Sequence, residues 1–308
     1  MKNFINISDH SSNDLRAIID EAKARKLKRK NLNKSAPDED KPFEGKSMAM
    51  IFEKPSTRTR MSFDIAIKQL GGSSIILNPD GIHYGKGDET LKDTAKVLTE
   101  YVDIVMLRTS SHKNLEEFGK HLDIPIINGL SDIGHPCQIM SDILTYEESN
   151  GIIEGKTVAW IGDGNNNMSN SLIEAAGKFK FNLKIACPKK YSPNKKILSW
   201  AKKNKIHLIV TTKPEEAVKK SDCVMTDKWV SMNDKVNKKA KKKILKPFQV
   251  NKKLMSKANS DAIFMHCLPV GRGEEVSGEV IDGKQSVVWR QALNRVHAQK
   301  SIIKWCLD

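Results

Sequence analysis

The fold is decided by the stretch SMAMIFEKPSTRTRMSFDIAIKQLGGSSIILN, residues 47–78. Its apolar runs at 47–52 and 74–78 have the length of buried β-strands. Pro55 ends the first run, and a helix is predicted from about Ser56. A strand, a helix and a second strand in this order are typical of a parallel sheet, because parallel strands need a crossover connection between them.

The same alternation continues along the rest of the chain. Further apolar runs of strand length lie at 103–107, 124–127, 157–161, 183–187, 207–211, 222–226 and 262–267. Amphipathic helices are predicted between them, for example over 88–102, where Leu91, Ala95, Leu98 and Val102 share one face. The pattern predicts an α/β fold of two doubly wound domains, each a parallel sheet flanked by helices, joined by interdomain helices.

The spacing of the runs also predicts where the domains divide. Four runs precede residue 134 and five follow residue 155, and HPCQIMSDILTYEESNG between them is predicted to be a helix that Gly151 ends. We therefore predict a first domain over 1–134, an interdomain helix over 135–151 and a second domain over 152–289. The C-terminal helix, 290–308, is predicted to pack back on the first domain.

Composition narrows the class of protein. Hydrophobic residues make up 39% and charged residues 29% of the 308 residues, which indicates a globular and not a disordered chain. No apolar run approaches the roughly 20 residues that a membrane span requires, and the N-terminus does not resemble a secretory signal. Five scattered cysteines without CxxC spacing argue against a disulfide framework. We predict a cytoplasmic protein with no membrane partner.

The net charge of +15 raises the question of a nucleic-acid partner. The densest lysine run, KVNKKAKKKILK at 235–246, contains no aromatic residue that could stack on bases. The other lysines are spread over most of the chain. We predict a lysine-rich solvated surface and no nucleic-acid partner, with a positive field that attracts small anionic substrates.

The first candidate binding segment is PSTRTR, directly after the first strand. Ligands of doubly wound sheets bind beyond the carboxyl ends of the strands. The first turn of the following helix offers free N–H groups and a positive dipole end, which together bind phosphate groups. Side-chain donors are added by Ser56, Thr57, Arg58 and Thr59. The alternative is an ordinary N-cap beside a solvated arginine.

Two further segments could complete the same site. Arg108 follows the third apolar run, although an arginine there could equally be a surface residue. His135 and Gln138 are three residues apart at a helix start, so they can share a face and hydrogen-bond one carbonyl-like group. An ordinary helix cap remains the alternative for this pair.

The segment GDGNNN after the fifth apolar run resembles a dinucleotide-binding turn only in part. The third glycine of that motif is an asparagine here, and the acidic residue expected about 20 positions later is missing. We therefore predict no nicotinamide cofactor. The amides of Asn165, Asn166 and Asn167 suit the α-carboxylate or α-amine of an amino acid instead.

The last two candidate segments follow later strands. Asp227 can pair with an ammonium group, and Ser231 and Met232 lie on the same loop. Cys267 could be a nucleophile or a residue that merely lines the site. Adjacent residues of a strand face opposite sides, so His266 and Cys267 are not predicted to form a catalytic Cys–His pair.

Five segments in this order resemble the ornithine carbamoyltransferases of the aspartate/ornithine carbamoyltransferase superfamily: FEKPSTRTRMSFD, HPCQ, GDGNNNMSNSL, DKWVSMN and FMHCLPVGRGEEV. The resemblance extends from about residue 45 to the C-terminal helix. STRTR followed by HPxQ marks carbamoyltransferases in general, the aspartate enzyme included. Asp227 with Ser231-Met232, together with HCLP, is more specific to the ornithine enzyme.

The resemblance implies transfer of the carbamoyl group of carbamoyl phosphate to the δ-amine of L-ornithine, by direct attack without a covalent enzyme intermediate. It implies a homotrimer, no metal and no organic cofactor, with carbamoyl phosphate bound by the first domain and ornithine by the second. Implied carbamoyl phosphate-binding residues are Ser56, Thr57, Arg58, Thr59, Arg108, His135, Gln138, Cys267, Leu268 and Arg295. Those implied to be catalytic are Arg108, His135, Gln138, Cys267 and Arg295. Implied ornithine-binding residues are Asn167, Asp227, Ser231 and Met232.

Three positions depart from the family pattern. Asn233 stands where glycine is usual, Gly271 where histidine is common, and Leu293 where glutamate is usual. None of these removes a reacting group, so we predict activity. Putrescine, N-acetylornithine and aspartate remain as alternative acceptors, although Asp227 favours an amine over aspartate.

Overall fold

The structure is a computed structural model that describes residues 2–78, 89–230 and 237–308. The chain divides into two compact units. The first unit consists of Met1–Leu144 and Leu293–Asp308, and the second consists of Thr145–Ala292. Each unit contains one parallel β-sheet.

The sheet of the first unit has four strands in the order β2-β1-β3-β4. The strands are β1 (Ser47–Phe52), β2 (Ser73–Leu77), β3 (Ile104–Arg108) and β4 (Ile126–Leu130). The helices that precede or connect them are α1 (Ser12–Lys28), α2 (Thr57–Gln69), α3 (Leu91–Tyr101) and α4 (His112–Lys120). Strand β1 is buried from Met48 to Phe52, as its apolar sequence predicts. The predicted face of α3 also lies in the core, where Ala95 and Leu98 are buried.

Helix α5 (Pro136–Asn150) leads from the first unit into the second, and Gly151 follows it with a φ of +76°. The second sheet has the order β7-β6-β5-β8-β9. Its strands are β5 (Thr157–Ile161), β6 (Asn182–Ala186), β7 (Leu208–Thr211), β8 (Cys223–Thr226) and β9 (Ile263–His266). The helices of this unit are α6 (Asn167–Phe179), α7 (Lys195–Lys203), α8 (Pro214–Val218), α9 (Lys238–Leu245), α10 (Lys252–Met255) and α11 (Gly278–Ile281).

The C-terminal helix α12 (Val288–Leu307) begins in the second unit and ends in the first. Leu293–Asp308 belongs to the first unit, although these residues follow the second unit in the sequence. Helix α12 therefore brings Arg295 to the first unit, where it contacts Thr59 and Gln138.

The predicted fold class is confirmed, because each of the nine apolar runs overlaps a strand and both sheets are parallel. In each sheet the first strand is central: the next strand or strands along the chain add on one side of it, and the later strands add on the other side. The strand order thus reverses between β1 and β3 in the first unit and between β5 and β8 in the second. Ligands of such sheets bind outside the carboxyl ends of the strands at this reversal.

Among the described residues, no helix combines the length and the apolar character that a membrane crossing requires.

Candidate active site

Helix α2 begins at the carboxyl end of β1, next to the reversal point of the first sheet. Ser56 is its N-cap, and the Ser56 hydroxyl accepts a hydrogen bond from the Thr59 N–H at 3.4 Å. The helix therefore starts at Thr57, one residue after the predicted start. Thr57 is exposed and Arg58 is half-buried, so the first turn presents its donors at the surface of the unit.

The Thr59 hydroxyl is buried and joins two guanidinium groups. Its Oγ1 accepts hydrogen bonds from Arg108 Nη1 at 3.2 Å and from Arg295 Nη2 at 3.0 Å. A hydroxyl has two acceptor positions and one hydrogen to donate. Because both acceptor positions are taken, the hydrogen of Thr59 is left to act as a donor to another group.

Gln138 on α5 extends the same network. Arg295 Nη1 donates to Gln138 Oε1, and Gln138 Nε2 donates to Asp142 Oδ1 at 2.8 Å. The network thus connects side chains of α2, β3, α5 and α12. Residues far apart in sequence are brought together because β1 and β3 are neighbours and α12 returns to this unit.

His135 directly precedes α5 and is buried. Burial lowers the pKa of His135 well below 6.5, and the charges of Arg295, Arg108 and Arg58 lower it further. The imidazole is therefore neutral at ordinary pH and can donate one hydrogen bond without carrying a charge.

The other arginine of the PSTRTR segment has different partners. The Arg60 guanidinium donates to Asn78 Oδ1 and lies 5.4 Å from the centre of the Phe52 ring. Of the two arginines in the first turn of α2, Arg58 is the one whose charge acts on His135.

In the second unit, the loop between β5 and α6 is held by Asp163. The carbonyl of Asp163 accepts from Trp160 Nε1 at 2.8 Å, and its carboxylate accepts from the Asn165 N–H at 2.8 Å. Lys241 Nζ of α9 lies 2.6 Å from Asp163 Oδ2, and both side chains are buried. Asn166 caps α6, so Asn167 is the first helical residue and is half-buried.

Gly164 allows this loop to approach the chain after β6. A Cβ atom at position 164 would lie 2.9 Å from Cys187 Sγ and 2.9 Å from the Tyr191 carbonyl. These distances are too short for any side chain, so the second glycine of the GDG segment is required by packing.

Asp227 and Cys267 meet at the carboxyl ends of β8 and β9. Cys267 Sγ donates to Asp227 Oδ1 at 3.1 Å, and the Lys228 N–H donates to the same oxygen at 2.7 Å. Ser231, Met232 and Asn233 lie outside the described residues.

The backbone after β9 is fixed by a buried pair of side chains, His266 and Glu275. The Leu268 N–H donates to His266 Nδ1 at 2.8 Å, so the ring hydrogen is on Nε2, which donates to Glu275 Oε1 at 3.2 Å. Leu268 has a φ of +60°, and this hydrogen bond holds its backbone in that conformation. Burial alone would raise the pKa of Glu275, but hydrogen bonds from His266 and the Gly271 N–H lower it.

Asp227, His266 and Cys267 each bring one possible metal-ligand atom within 4.8 Å of the others. Both ring nitrogens of His266 already have protein partners, and the Cys267 thiol donates to Asp227. A metal ion would have to break these hydrogen bonds, so the cluster fits a protein hydrogen-bond network better than a metal site.

One hydrogen-bond network of the first unit thus joins four residues that the sequence predicts for the site: Thr59, Arg108, Gln138 and Arg295. The charges of its two arginines act on His135, and Ser56 is the N-cap of α2. Cys267, Leu268, Asn167 and Asp227 lie in the second unit, at or near the carboxyl ends of its strands.

Three residues that hold the candidate site together are not predicted from the sequence: Asp142, Lys241 and Glu275. The i, i+4 spacing of Asp142 from Gln138 was a usable signal, because such residues share a helix face. Lys241 lies in a lysine run that was assigned to the solvated surface, but its side chain is 4% exposed. Nothing in the local sequence distinguishes it from its neighbours.

Two of the residues that depart from the family pattern, Gly271 and Leu293, lie in the part of the chain that the structure describes. A Cβ atom at Gly271 would lie 2.7 Å from Glu275 Oε2, so the missing side chain leaves room for this carboxylate. Leu293 is 53% exposed, whereas Arg295 on the same helix is held by Thr59 and Gln138.

Two family models match this chain. Residues 2–148 match the family model of the aspartate/ornithine carbamoyltransferase carbamoyl-P binding domain, and residues 154–306 match that of the Asp/Orn binding domain. An ornithine carbamoyltransferase of Brucella ovis is 50% identical over 308 residues, which is all of this chain and 96% of the Brucella protein.

Solved structures show the same similarity. The ornithine carbamoyltransferase from Pyrococcus furiosus superposes with a TM-score of 0.93 at 41% identity, covering 99% of this chain and 97% of that one. The anabolic ornithine carbamoyltransferase from Campylobacter jejuni gives a TM-score of 0.89 at 37% identity, covering 99% of both chains. With half of its residues identical over its full length, this chain belongs to the aspartate/ornithine carbamoyltransferase family.

Proposed function

We propose that this protein transfers the carbamoyl group of carbamoyl phosphate to the δ-amine of L-ornithine and releases L-citrulline and phosphate. The observation that carries the proposal is the buried network of Thr59, Arg108, Gln138 and Arg295 in a chain 50% identical to an ornithine carbamoyltransferase. These side chains offer fixed donors and one fixed carbonyl acceptor, which is the complement of a carbamoyl group.

The phosphate of carbamoyl phosphate would bind at the start of α2. Ser56, Thr57, Arg58 and Thr59 would hold it through hydroxyl groups, a guanidinium and the free N–H groups of the first turn. The positive dipole end of α2 and the nearby guanidinium charges of Arg108 and Arg295 all favour a doubly charged anion.

The carbamoyl group would be held by the residues behind this turn. Arg108, Arg295 and neutral His135 supply donors to its carbonyl oxygen. The Thr59 hydroxyl, whose hydrogen remains available, is proposed as a further donor to this oxygen. Negative charge builds on this oxygen in the transition state, and fixed donors stabilise it because they need no reorganisation during the reaction.

Ornithine would be bound by the second unit. Asp227 is the acidic partner for its α-ammonium group, and the amide of Asn167 suits its α-carboxylate. Ser231 and Met232 are proposed to complete this site. Cys267, whose thiol donates to Asp227, and Leu268, which follows it, are proposed to lie beside the reacting amine.

The proposed reaction is a direct displacement. The neutral δ-amine attacks the carbamoyl carbon, a C–N bond forms, and the bond from that carbon to the phosphate oxygen breaks. The amine loses a proton and phosphate leaves with the bonding electron pair. Carbamoyl phosphate is already an activated donor, so the step requires no covalent enzyme intermediate and no organic cofactor.

The experiment is a parallel assay of purified protein with carbamoyl phosphate and each of four acceptors: ornithine, aspartate, N-acetylornithine and putrescine. Citrulline from ornithine, with little product from the others, is expected because Asp227 pairs with an α-ammonium that N-acetylornithine and putrescine lack. Product from another acceptor would overturn the roles of Asp227, Ser231 and Met232 and leave the carbamoyl phosphate half intact.

We also propose a homotrimer. Strand β2 is an edge of its sheet and exposes Ile75 and Ile76, and the neighbouring helix α2 exposes Met61. Exposed apolar residues on a sheet edge favour burial against another copy. Sedimentation equilibrium tests this, with a mass of three chains expected for the wild type. The Ile75→Lys variant is expected to have a lower mass, and a monomeric wild type would contradict the proposal.

A cytoplasmic location is proposed as well, because the five cysteines are free thiols and suit a reducing compartment. Fractionation of cells that produce the protein is expected to give activity in the fraction with a cytoplasmic marker enzyme. Recovery with a membrane or periplasmic marker would contradict this.

A further inference from the structure

Asp142 lies one helical turn after Gln138 on α5, on the same face of the helix. Its Oδ1 accepts a hydrogen bond from Gln138 Nε2 at 2.8 Å. Each of these two side chains is 1% exposed, so water does not compete for this contact. The carboxylate is not among the groups proposed to touch either substrate.

The orientation of the Gln138 amide follows from its two neighbours. A guanidinium has only hydrogen-bond donors, so the atom that faces Arg295 must be the amide oxygen, Oε1. The amide nitrogen is then directed to Asp142, which accepts its hydrogen. Arg295 uses one acceptor position of Oε1, and a carbonyl oxygen has two.

We propose that Asp142 is a positioning residue that makes Gln138 a dedicated acceptor for the –NH₂ of the carbamoyl group. This inference rests on the proposed function, and it adds a cause of substrate specificity to it. By holding Nε2, Asp142 keeps the second acceptor position of Oε1 available to the substrate. An acetyl group has the same shape as a carbamoyl group, but its methyl cannot donate a hydrogen bond.

The Asp142–Gln138 pair therefore discriminates carbamoyl phosphate from acetyl phosphate. A buried acceptor left without a donor weakens binding of the wrong ligand, and sites built on such groups reject analogues that lack the donor. Loss of the Asp142 carboxylate leaves the amide held only at its oxygen, by Arg295, so its nitrogen is no longer fixed away from the ligand. Discrimination then falls, although the phosphate-binding groups are unchanged.

Two stable phosphonates test this by isothermal titration calorimetry on the full-length protein. Phosphonoacetamide and acetonylphosphonate differ only in an –NH₂ or a –CH₃ on the same carbonyl carbon. The wild type is expected to bind phosphonoacetamide about tenfold more tightly, the effect of one buried hydrogen bond. In Asp142→Leu and Asp142→Ala, which both lack an acceptor for Gln138 Nε2, this ratio is expected to fall to about threefold or less, with acetonylphosphonate affinity nearly unchanged.

Two further measurements separate positioning from general damage. Glu148→Gln removes a carboxylate from the same helix, outside the network, and is expected to keep the wild-type ratio. In steady-state assays, the Asp142 variants are expected to raise KM for carbamoyl phosphate and leave KM for ornithine unchanged. Should Asp142→Ala fail to fold, the Asp142→Leu variant, which has nearly the same size and no acceptor, still gives the ratio.

The outcomes are distinct for the two hypotheses. A wild-type ratio in a folded Asp142 variant would overturn the role of Asp142 and leave the proposed function standing. Equal loss of affinity for both phosphonates would also overturn it, because that result indicates a structural role. A wild type that binds neither phosphonate would overturn the proposed function and this inference together.

Discussion

Thr59 places a single hydroxyl between the guanidinium groups of Arg108 and Arg295. Both arginines are held by an oxygen that is itself fixed by helix α2, so neither has to be ordered by the substrate. At the scale of one residue, the site depends on this hydroxyl as much as on the charges around it, because the hydroxyl aligns both donors and keeps its own hydrogen available.

Replacement of this hydroxyl is the sharpest test at one residue. Thr59→Val keeps the shape of the side chain and is expected to lower kcat/KM for carbamoyl phosphate about 10²- to 10³-fold, the usual effect of losing a preorganised donor. Steady-state kinetics measure this. Thr99→Val, the same change on α3, is the matched control, and a loss of activity there as large as in Thr59→Val would contradict the assignment.

His297 on α12 gives a prediction about stability and pH. Burial lowers its pKa to about 3, and the charges of Lys300, Lys26 and Arg29 add to the effect. The ordinary value is 6.5, so between pH 6.5 and pH 3 the unfolded chain binds a proton that the folded chain does not. The free energy of unfolding therefore decreases as the pH falls below 6.5, by up to about 1.4 kcal/mol per pH unit from this group.

We expect His297→Gln to remove this contribution. Urea unfolding of wild type and variant at a fixed protein concentration is compared at pH 7.5 and pH 5.5. The wild type is expected to lose about 1 kcal/mol more than the variant between these values, because only the wild type has the buried imidazole at position 297. Equal losses in the two proteins would show that His297 does not contribute in this range.

At the scale of elements, helix α9 is joined to the β5–α6 loop through one buried ion pair, Lys241 with Asp163. Lys241 Nζ also lies 5.1 Å from the centre of the Tyr191 ring. The loop carries Asn166 and Asn167, so this contact between elements fixes the start of α6, where the ornithine carboxylate is proposed to bind.

Lys241→Met leaves the buried carboxylate of Asp163 without its cation. We expect a loss of about 3–5 kcal/mol in the free energy of unfolding, since a buried charge without its partner is strongly destabilising, and a higher KM for ornithine. Lys242→Met is the matched control, because Lys242 pairs with Glu274 at the exposed surface and such pairs contribute about 1 kcal/mol or less. Equal effects of the two substitutions would contradict the role of Lys241.

The same elements show how far the sequence predicts the molecule. Strands were predictable because parallel strands buried on both faces are continuous apolar runs. The positions of candidate residues at the carboxyl ends of strands were predictable for the same reason, as Arg108 at the end of β3 and Asp227 directly after β8 illustrate. The burial of Lys241 was not predictable, because it depends on the contact of α9 with the β5–α6 loop. The local sequence of a lysine run does not show whether one of its side chains is buried.

At the scale of the whole molecule, the net charge of +15 affects the encounter with substrates. A positive field attracts anions, and added salt screens it. We expect kcat/KM for carbamoyl phosphate to fall about threefold to tenfold as ionic strength rises from about 0.02 to 0.5 M. Ornithine carries a net positive charge, so its kcat/KM is expected to stay constant or rise. A parallel fall for both substrates would contradict steering by the field.

Arg295 lies 236 residues after Thr59 in the sequence, yet it completes the network around this residue. During synthesis on the ribosome, the first sheet emerges long before α12 is made. A nascent or prematurely terminated chain therefore cannot assemble the full set of donors, however well its first domain folds. We therefore expect productive binding of carbamoyl phosphate only from chains whose synthesis has passed α12.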